Sequence, residues 1–235
     1  MKLTRAVTTG LAILGLTPAL VQAADLTVTI ENLTRGVYFT PLAVAAHPEG
    51  SQLFQTGQPA STQIQAMAEG GDISGLAGQL SSLGATQANN PAGGLLAPGA
   101  SATASLNTDG TANTQLSVTA MLLPTNDGFV ALNAIDIPTT PGTYSFYANA
   151  YDAGTEGNDE VRGSGSPGEA GFPVPPPLEP VVGTGATGIT AAAEGFVHIH
   201  RGVLGDSDNG AGPSDIDSGL HRWLNPVARI TVTVN

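Results

Sequence analysis

The sequence predicts an all-β protein, an antiparallel β-sandwich with short helices and long loops. Three observations carry that expectation. Leu26-Thr27-Val28-Thr29-Ile30 and Arg229-Ile230-Thr231-Val232-Thr233-Val234 alternate apolar and polar residues with period two and are rich in β-branched side chains, the pattern of half-buried strands. Gly (31) and Pro (17) make up about a fifth of the 235 residues, which supplies many turns but falls short of a low-complexity composition. The helical periods that alternate with strands in βαβ units are lacking.

In chain order, the first element is a secretory signal over residues 1–23. Lys2 and Arg5 form a basic start, Thr8 to Leu16 is mostly apolar and too short to span a bilayer, and Pro18 stops the helix. Val21-Gln22-Ala23 places small residues where a signal peptidase cuts, after Ala23 or, as the alternative, Ala24. The strand at Leu26–Ile30 follows, then a second over Gly36–Ala46. Ser61–Met67 and Asp72–Leu83 read as short helices across one end of the sandwich. The second of these carries Leu76, Leu80 and Leu83 at i, i+4 and i+7, with Ser74 or Asp72 as its cap. Further strands are expected at Ala100–Leu106, Thr114–Leu123, Gly142–Tyr151 and Gly195–Arg201. Residues 163–188, with Pro173-Val174-Pro175-Pro176-Pro177, form a Gly/Pro-rich insert loop, because proline cannot donate to a sheet ladder. The strand at Arg229–Val234 closes the domain, so both termini belong to one sheet system.

Composition excludes several function classes. The formal charge is −12, from 7 basic and 19 acidic residues, and a nucleic-acid binder needs a basic face. Loss of Lys2 and Arg5 with the signal leaves five arginines against 19 acidic residues, or −14, on a chain without lysine. Such an excess repels itself and opposes compaction, and a bound divalent cation relieves part of that repulsion. Cysteine is absent, which removes disulfides, thiolate metal sites and cysteine nucleophiles. No stretch after the signal approaches the ~20 apolar residues of a membrane span. There is no GxSxG, HExxH, Walker segment or dinucleotide fingerprint, and 5% aromatics is poor lining for a sugar cleft.

The chemistry that remains is oxygen ligation of a hard cation. Asn126-Asp127-Gly128 is a turn signature between two apolar runs, which puts Asp127 at a loop tip or strand entrance. Asp152-Ala153-Gly154-Thr155-Glu156 closes the most aromatic strand, and Gly154 permits a reversal that turns Asp152 and Glu156 toward one point. If the two strands are neighbours, three carboxylates converge, and with loop carbonyls and water they supply the six to eight oxygens that calcium takes. His198 and His200 share a face of an expected strand and form a candidate zinc or copper pair without an obvious third ligand, since His47 and His221 are distant in sequence. Asp206, Asp208, Asp215 and Asp217 resemble an EF-hand loop, but glycine falls at position five and no glutamate closes the loop, so a solvated turn fits better than a second calcium site. Arg222 and Trp223 stand where a cation–π or ion-pair contact over that loop is expected.

The segments "LLPTNDGFVAL" and "YANAYDAGTE", together with the opening "TVTIENLTRGVYFTPLAVAAHP" and the closing "EGFVHIHRGVLGDSDNGAGPSDIDSGLHRWLNPVARITVTV", resemble the spondin domain family, in particular its bacterial secreted members. The resemblance covers nearly all of residues 24–235. It implies a C2-like antiparallel β-sandwich with a calcium ion at one end, and it assigns the ligand positions to Asp127, Asp152 and Glu156. Glu156 stands where the family has aspartate, which leaves direct, bidentate and water-mediated ligation open. Gly128 stands where animal members carry an aromatic residue. The expected function is that of a secreted, non-catalytic, calcium-binding module for adhesion or extracellular interaction, periplasmic or extracellular, with a protein, glycan or lipid ligand. The alternatives are a metal-dependent hydrolase using His198 and His200, or a metal-free structural surface protein.

Overall fold

The computed structural model describes residues 25–235, so the expected signal peptide at 1–23 lies outside the described residues. Among the described residues the strands are β1 (Asp25–Asn32), β2 (Tyr38–Phe39), β3 (Ala43–Pro48), β4 (Thr86–Asn89), β5 (Ser101–Asn107), β6 (Asn113–Leu123), β7 (Gly128–Asp136), β8 (Gly142–Asp152), β9 (His198–Ile199) and β10 (Ala228–Val234). Two short helices, α1 (Thr62–Gly70) and α2 (Ser74–Ser82), lie between β3 and β4. The strand order is β4-β3-β6-β7-β8-β10-β1-β5, with β2 on β6 and β9 on β8. Every strand pairing is antiparallel. The expected all-β antiparallel sandwich is therefore the observed fold. The two strands read from period two, β1 and β10, pair with each other from Leu26↔Val234 to Asn32↔Ala228.

Strand β8 joins the two layers. Its first part, Gly142 to Ala148, pairs with β10, and its last part, Asn149 to Asp152, pairs with β7. The free edges β4 and β5 also meet, where the Thr86 hydroxyl donates to the Asn107 carbonyl at 3.1 Å. The sheet thus nearly closes on itself, which leaves little unpaired edge for other chains. Its interior is filled by alternate residues: Leu26, Val28 and Ile30 of β1, Ile230 and Val232 of β10, Ala102, Ala104 and Leu106 of β5, and Val118, Ala120 and Leu122 of β6, all buried.

Several expectations need correction. The single strand expected over Gly36–Ala46 is split. Thr40, Pro41 and Leu42 lie opposite only Met121 and Ala120, so the chain bulges, and the Thr40 hydroxyl accepts from Met121 N at 3.0 Å. Strand β9 is two residues long rather than the seven of Gly195–Arg201. Strands β4 and β7 were not expected. Residues Thr86–Asn89 carry no apolar alternation and are held by pairing with β3, while β7 is buried on both faces over its first five residues and so shows no period of two.

The helices do not cap one end. They cover the outer face of the β3–β6–β7 layer, where the Thr119 hydroxyl of β6 approaches Met67 Sδ of α1 at 3.9 Å. Helix α1 starts at Ser61, whose hydroxyl accepts from Ile64 N at 3.2 Å, and ends at Gly71 with φ 70°. Before α2 the Asp72 carboxylate accepts from Ser74 N at 2.8 Å. Leu76 and Leu80 are buried as expected, but Leu83, just past the helix, is exposed.

Residues 163–188 are mostly irregular, with one 3-10 turn over Pro176–Leu178, and the segment packs down on the domain. Phe172, Leu178 and Val182 are buried, and Phe172 exchanges backbone bonds with Val161 and Gly163 at 2.9 and 2.8 Å. Arg162 secures the far side through Glu179 at 2.7 Å and the Gly183 carbonyl at 2.6 Å.

Candidate metal centre

One end of the sandwich collects carboxylates in the loops that follow β6 and β8. The turn after β6 begins with Thr125, whose hydroxyl donates to the Leu122 carbonyl at 2.6 Å and accepts from Gly128 N at 3.0 Å. That turn delivers Asp127 to the threshold of β7, fully buried. Gly128 pairs directly with Asp152, the last residue of β8. The strands that end at the two loops, β6 and β8, are not neighbours: β7 lies between them, and its first residue brings Asp127 beside Asp152. The β8 loop then reverses at Gly154, whose φ is 66° and whose missing Cβ would lie 2.3 Å from the Phe196 carbonyl oxygen.

The loop wraps Asp127. Its Oδ2 accepts from Thr155 N at 2.8 Å and Glu156 N at 3.1 Å, while its Oδ1 is buried without a hydrogen-bond partner. Burial pushes the Asp127 carboxyl up to about 8, and the charge of Asp152 adds to the effect. Asp152 accepts from Gly154 N through Oδ1 and from the Asn158 amide through Oδ2, both at 2.8 Å. Glu156 turns its Oε1 to the Asn126 amide (2.7 Å) and to Gly171 N of the insert loop, and its Oε2 is buried without a partner. Burial also raises the Glu156 carboxyl. Asn126 is the organiser that the sequence pattern did not single out. Its Nδ2 also donates to Asp159 at 2.8 Å, and its Oδ1 accepts from Glu160 N at 3.1 Å.

The donor set suits a hard cation. Two carboxylate oxygens, Asp127 Oδ1 and Glu156 Oε2, are buried with nothing to bond, and no arginine or lysine pairs with Asp127, Asp152 or Glu156 among the described residues. Buried carboxylates of this kind are costly unless a proton or a cation compensates them. The ligand oxygens of Asp127, Asp152 and Glu156 do not all fall within 4.8 Å of one another, so a calcium ion held by these three would have to draw them closer or bridge them through water.

His198 of β9 and His200, just past its end, reach the same neighbourhood. His198 Nε2 lies 3.7 Å from Asp152 Oδ1 and 3.8 Å from Glu194 Oε1, and His200 Nε2 lies 4.0 Å from Asp152 Oδ2. Burial lowers the His200 pKa, so its ring is neutral near pH 7. Among the described residues, the trio of acidic or imidazole side chains whose ligand atoms all fall within 4.8 Å of one another is Asp152, Glu194 and His198. Glu194 was not anticipated: no motif marks it, and only tertiary contact brings it to His198. His47 and His221 lie apart from this group. His47 bonds Ser117 beneath α2, and His221 is buried next to Asp217.

The Asp206–Asp217 loop spends its carboxylates on its own backbone and its neighbours. Asp206 accepts from Asp208 N and Ser214 N, Asp215 from Arg162 N and Ala186 N, and Asp217 from Gly219 N and Leu220 N. The bonds of Asp206 to Asp208 N and of Asp217 to Gly219 N and Leu220 N are turn-forming, while Asp215 ties the loop to distant backbone. Arg222 does not stack on Trp223. It donates to the Leu204 carbonyl at 2.7 Å, while Trp223 packs against His200 with ring centroids 5.0 Å apart.

Fold and site together define an antiparallel β-sandwich module with a carboxylate cluster in its end loops. The Spondin_N family model matches residues 32–162, more than half of the chain and including Asp127, Asp152 and Glu156, and the chain belongs to that family. Family membership points to an extracellular domain of a generally non-enzymatic kind. No curated protein matches the chain. No helix among the described residues is long and apolar enough to cross a membrane.

Proposed function

We propose that this chain is an exported, non-catalytic interaction module, periplasmic or extracellular, whose end loops are ordered by a calcium ion held by Asp127, Asp152 and Glu156. The observation that carries this reading is the Asp127 carboxylate: fully buried, one oxygen unpartnered, and repelled by Asp152. A divalent ion supplies the missing positive charge and lets all three carboxylates ionise. The ordered loops then present a surface for adhesion to a protein, glycan or lipid ligand. Exposed Phe196, Ile199 and Leu204 near the same end fit such a role.

Thermal melting in chelator and in millimolar calcium tests the reading. Free calcium at 100 times its dissociation constant adds roughly 2.7 kcal/mol to stability. Asp152→Asn should abolish the shift. Asp206→Asn, in a loop whose carboxylates bond backbone, should leave it nearly intact. Identical melting curves with and without calcium would rule the mechanism out.

A further inference from the structure

Beside the carboxylate cluster a cleft of about 590 Å³ is lined by Asp152, within residues 32–162, and by Glu194, Phe196, His198, His200 and Leu204, which lie beyond them, among others. We propose that Asp152, Glu194 and His198 form a second metal site in this cleft, for a borderline divalent ion of the zinc type, with His200 as a positioning residue. The two readings share Asp152, but Glu194 and His198 are not among the calcium ligands, so variants at those two positions tell the sites apart.

Tautomers separate the roles of the two histidines. His198 Nδ1 lies 3.1 Å from the Ile199 carbonyl oxygen, which can only accept, so Nδ1 carries the proton and the Nε2 lone pair is free. That Nε2 is shielded from solvent, has no hydrogen-bond partner, and faces Asp152 and Glu194. His200 has the opposite arrangement. Gly202 N donates to its Nδ1 at 3.2 Å, so the proton sits on Nε2 and points toward Asp152 Oδ2. His200 is 95% buried and its Nε2 is likewise unpartnered. With its proton on Nε2 the ring does not ligate through that atom; at 4.0 Å it stops short of a hydrogen bond to Asp152, and the contact closes only if the carboxylate shifts toward it when the metal binds.

Distances and donor chemistry agree with this assignment. The His198–Asp152 and His198–Glu194 separations of 3.7 and 3.8 Å are too long for hydrogen bonds. They are a few tenths of an ångström above the roughly 3.3 Å that separates two ligands on one tetrahedral zinc. His198 and Glu194 keep about a third of their side-chain surface in solvent, so both can close that gap. An imidazole with two carboxylates selects zinc-type ions over calcium, which takes oxygen donors. Three protein ligands leave a coordination position open to the cleft, where a bound molecule's oxygen can complete the shell.

Calorimetric titration of the metal-free protein with Zn²⁺, repeated in millimolar calcium, tests the proposal. One equivalent should bind, with His198→Ala and Glu194→Gln each losing at least tenfold in affinity while the calcium-dependent melting of both variants persists. His200→Ala should lose tenfold to a hundredfold, the usual cost of losing a hydrogen bond behind a metal ligand, if the His200–Asp152 bond forms in the loaded site. His200→Gln, which restores an N–H donor, should recover most of that loss. Failure to bind one equivalent, or unchanged affinity in His198→Ala, overturns the proposal. Either result leaves the calcium reading untouched, since that depends on the melting shift.

Discussion

Asp127 illustrates how one buried carboxylate links stability to a ligand. Its pKa is raised from 3.8 to about 8, so the folded state holds a proton that the unfolded chain releases. In chelator, the stability tied to this proton is full below pH ~4 and is lost as pH rises through about 8. Asp127→Asn mimics the protonated group and keeps an acceptor for Thr155 and Glu156. In chelator it should stabilise the protein by on the order of 1–3 kcal/mol at pH 8 and by nothing at pH 4. Denaturant melts at the two pH values check this, and a variant less stable than the parent at pH 8 would contradict it. Gly128 shows a second residue-scale constraint. A Cβ there would lie 2.6 Å from Thr125 Oγ1 and 3.1 Å from His200 Cδ2, so in this chain the space beside the site is filled by the turn threonine and the histidine. The sequence marked Gly128 as a departure from an aromatic, but one of the two side chains that fill the space, His200, comes from 72 residues away.

Among the elements, β8 and the 163–188 loop do most to build the site. Strand β8 begins beside β10 in one layer and ends beside β7 in the other, which carries Asp152 to the end of the sandwich. Its Tyr151 stacks on Phe129 of β7 with centroids 5.6 Å apart, and Phe54 packs edge-on against both rings. The aromatic cluster holds the two strands together directly beneath the carboxylates. The insert loop reaches the site through Gly171, whose N–H donates to Glu156, and it is anchored by the neighbouring, fully buried Phe172. Phe172→Ala should cost about 3 kcal/mol by cavity formation. It should also raise several-fold the calcium concentration needed for half of the melting shift, because Glu156 loses a support. An unchanged calcium requirement would mean that the loop is independent of the site. Helix α2 was legible from Leu76 and Leu80, whereas β4 was not, since its polar residues are strand only because β3 lies beside them.

At the scale of the molecule, net charge and the end-loop cluster act together. With 19 acidic residues against 7 basic ones, the chain carries −12 and repels itself, and that repulsion is screened by salt. In chelator the melting temperature should rise between 0.02 and 0.5 M NaCl, and calcium's added stabilisation should be smaller at the higher salt. A melting temperature independent of salt would show that the acidity is dispersed too widely to matter. Burial divides the acidic residues into groups with different work. Glu160 and Asp215 are buried but satisfied, Glu160 by Leu204 N, Gly205 N and Ser214 Oγ, and Asp215 by Arg162 N and Ala186 N. Asp127 and Glu156 keep an unpartnered oxygen each.

By itself the sequence determined the fold class and the carboxylates of the candidate calcium site. Period-two alternation at β1 and β10 is imposed by burial of one strand face, so it is written locally, and the two carboxylate segments are short and contiguous. Tertiary structure alone decided that the helices cover a sheet face, that Gly171 supports Glu156, and that Glu194 meets His198 and Asp152. Those facts depend on which strands and loops lie side by side, and partners distant along the chain leave no periodic trace in it.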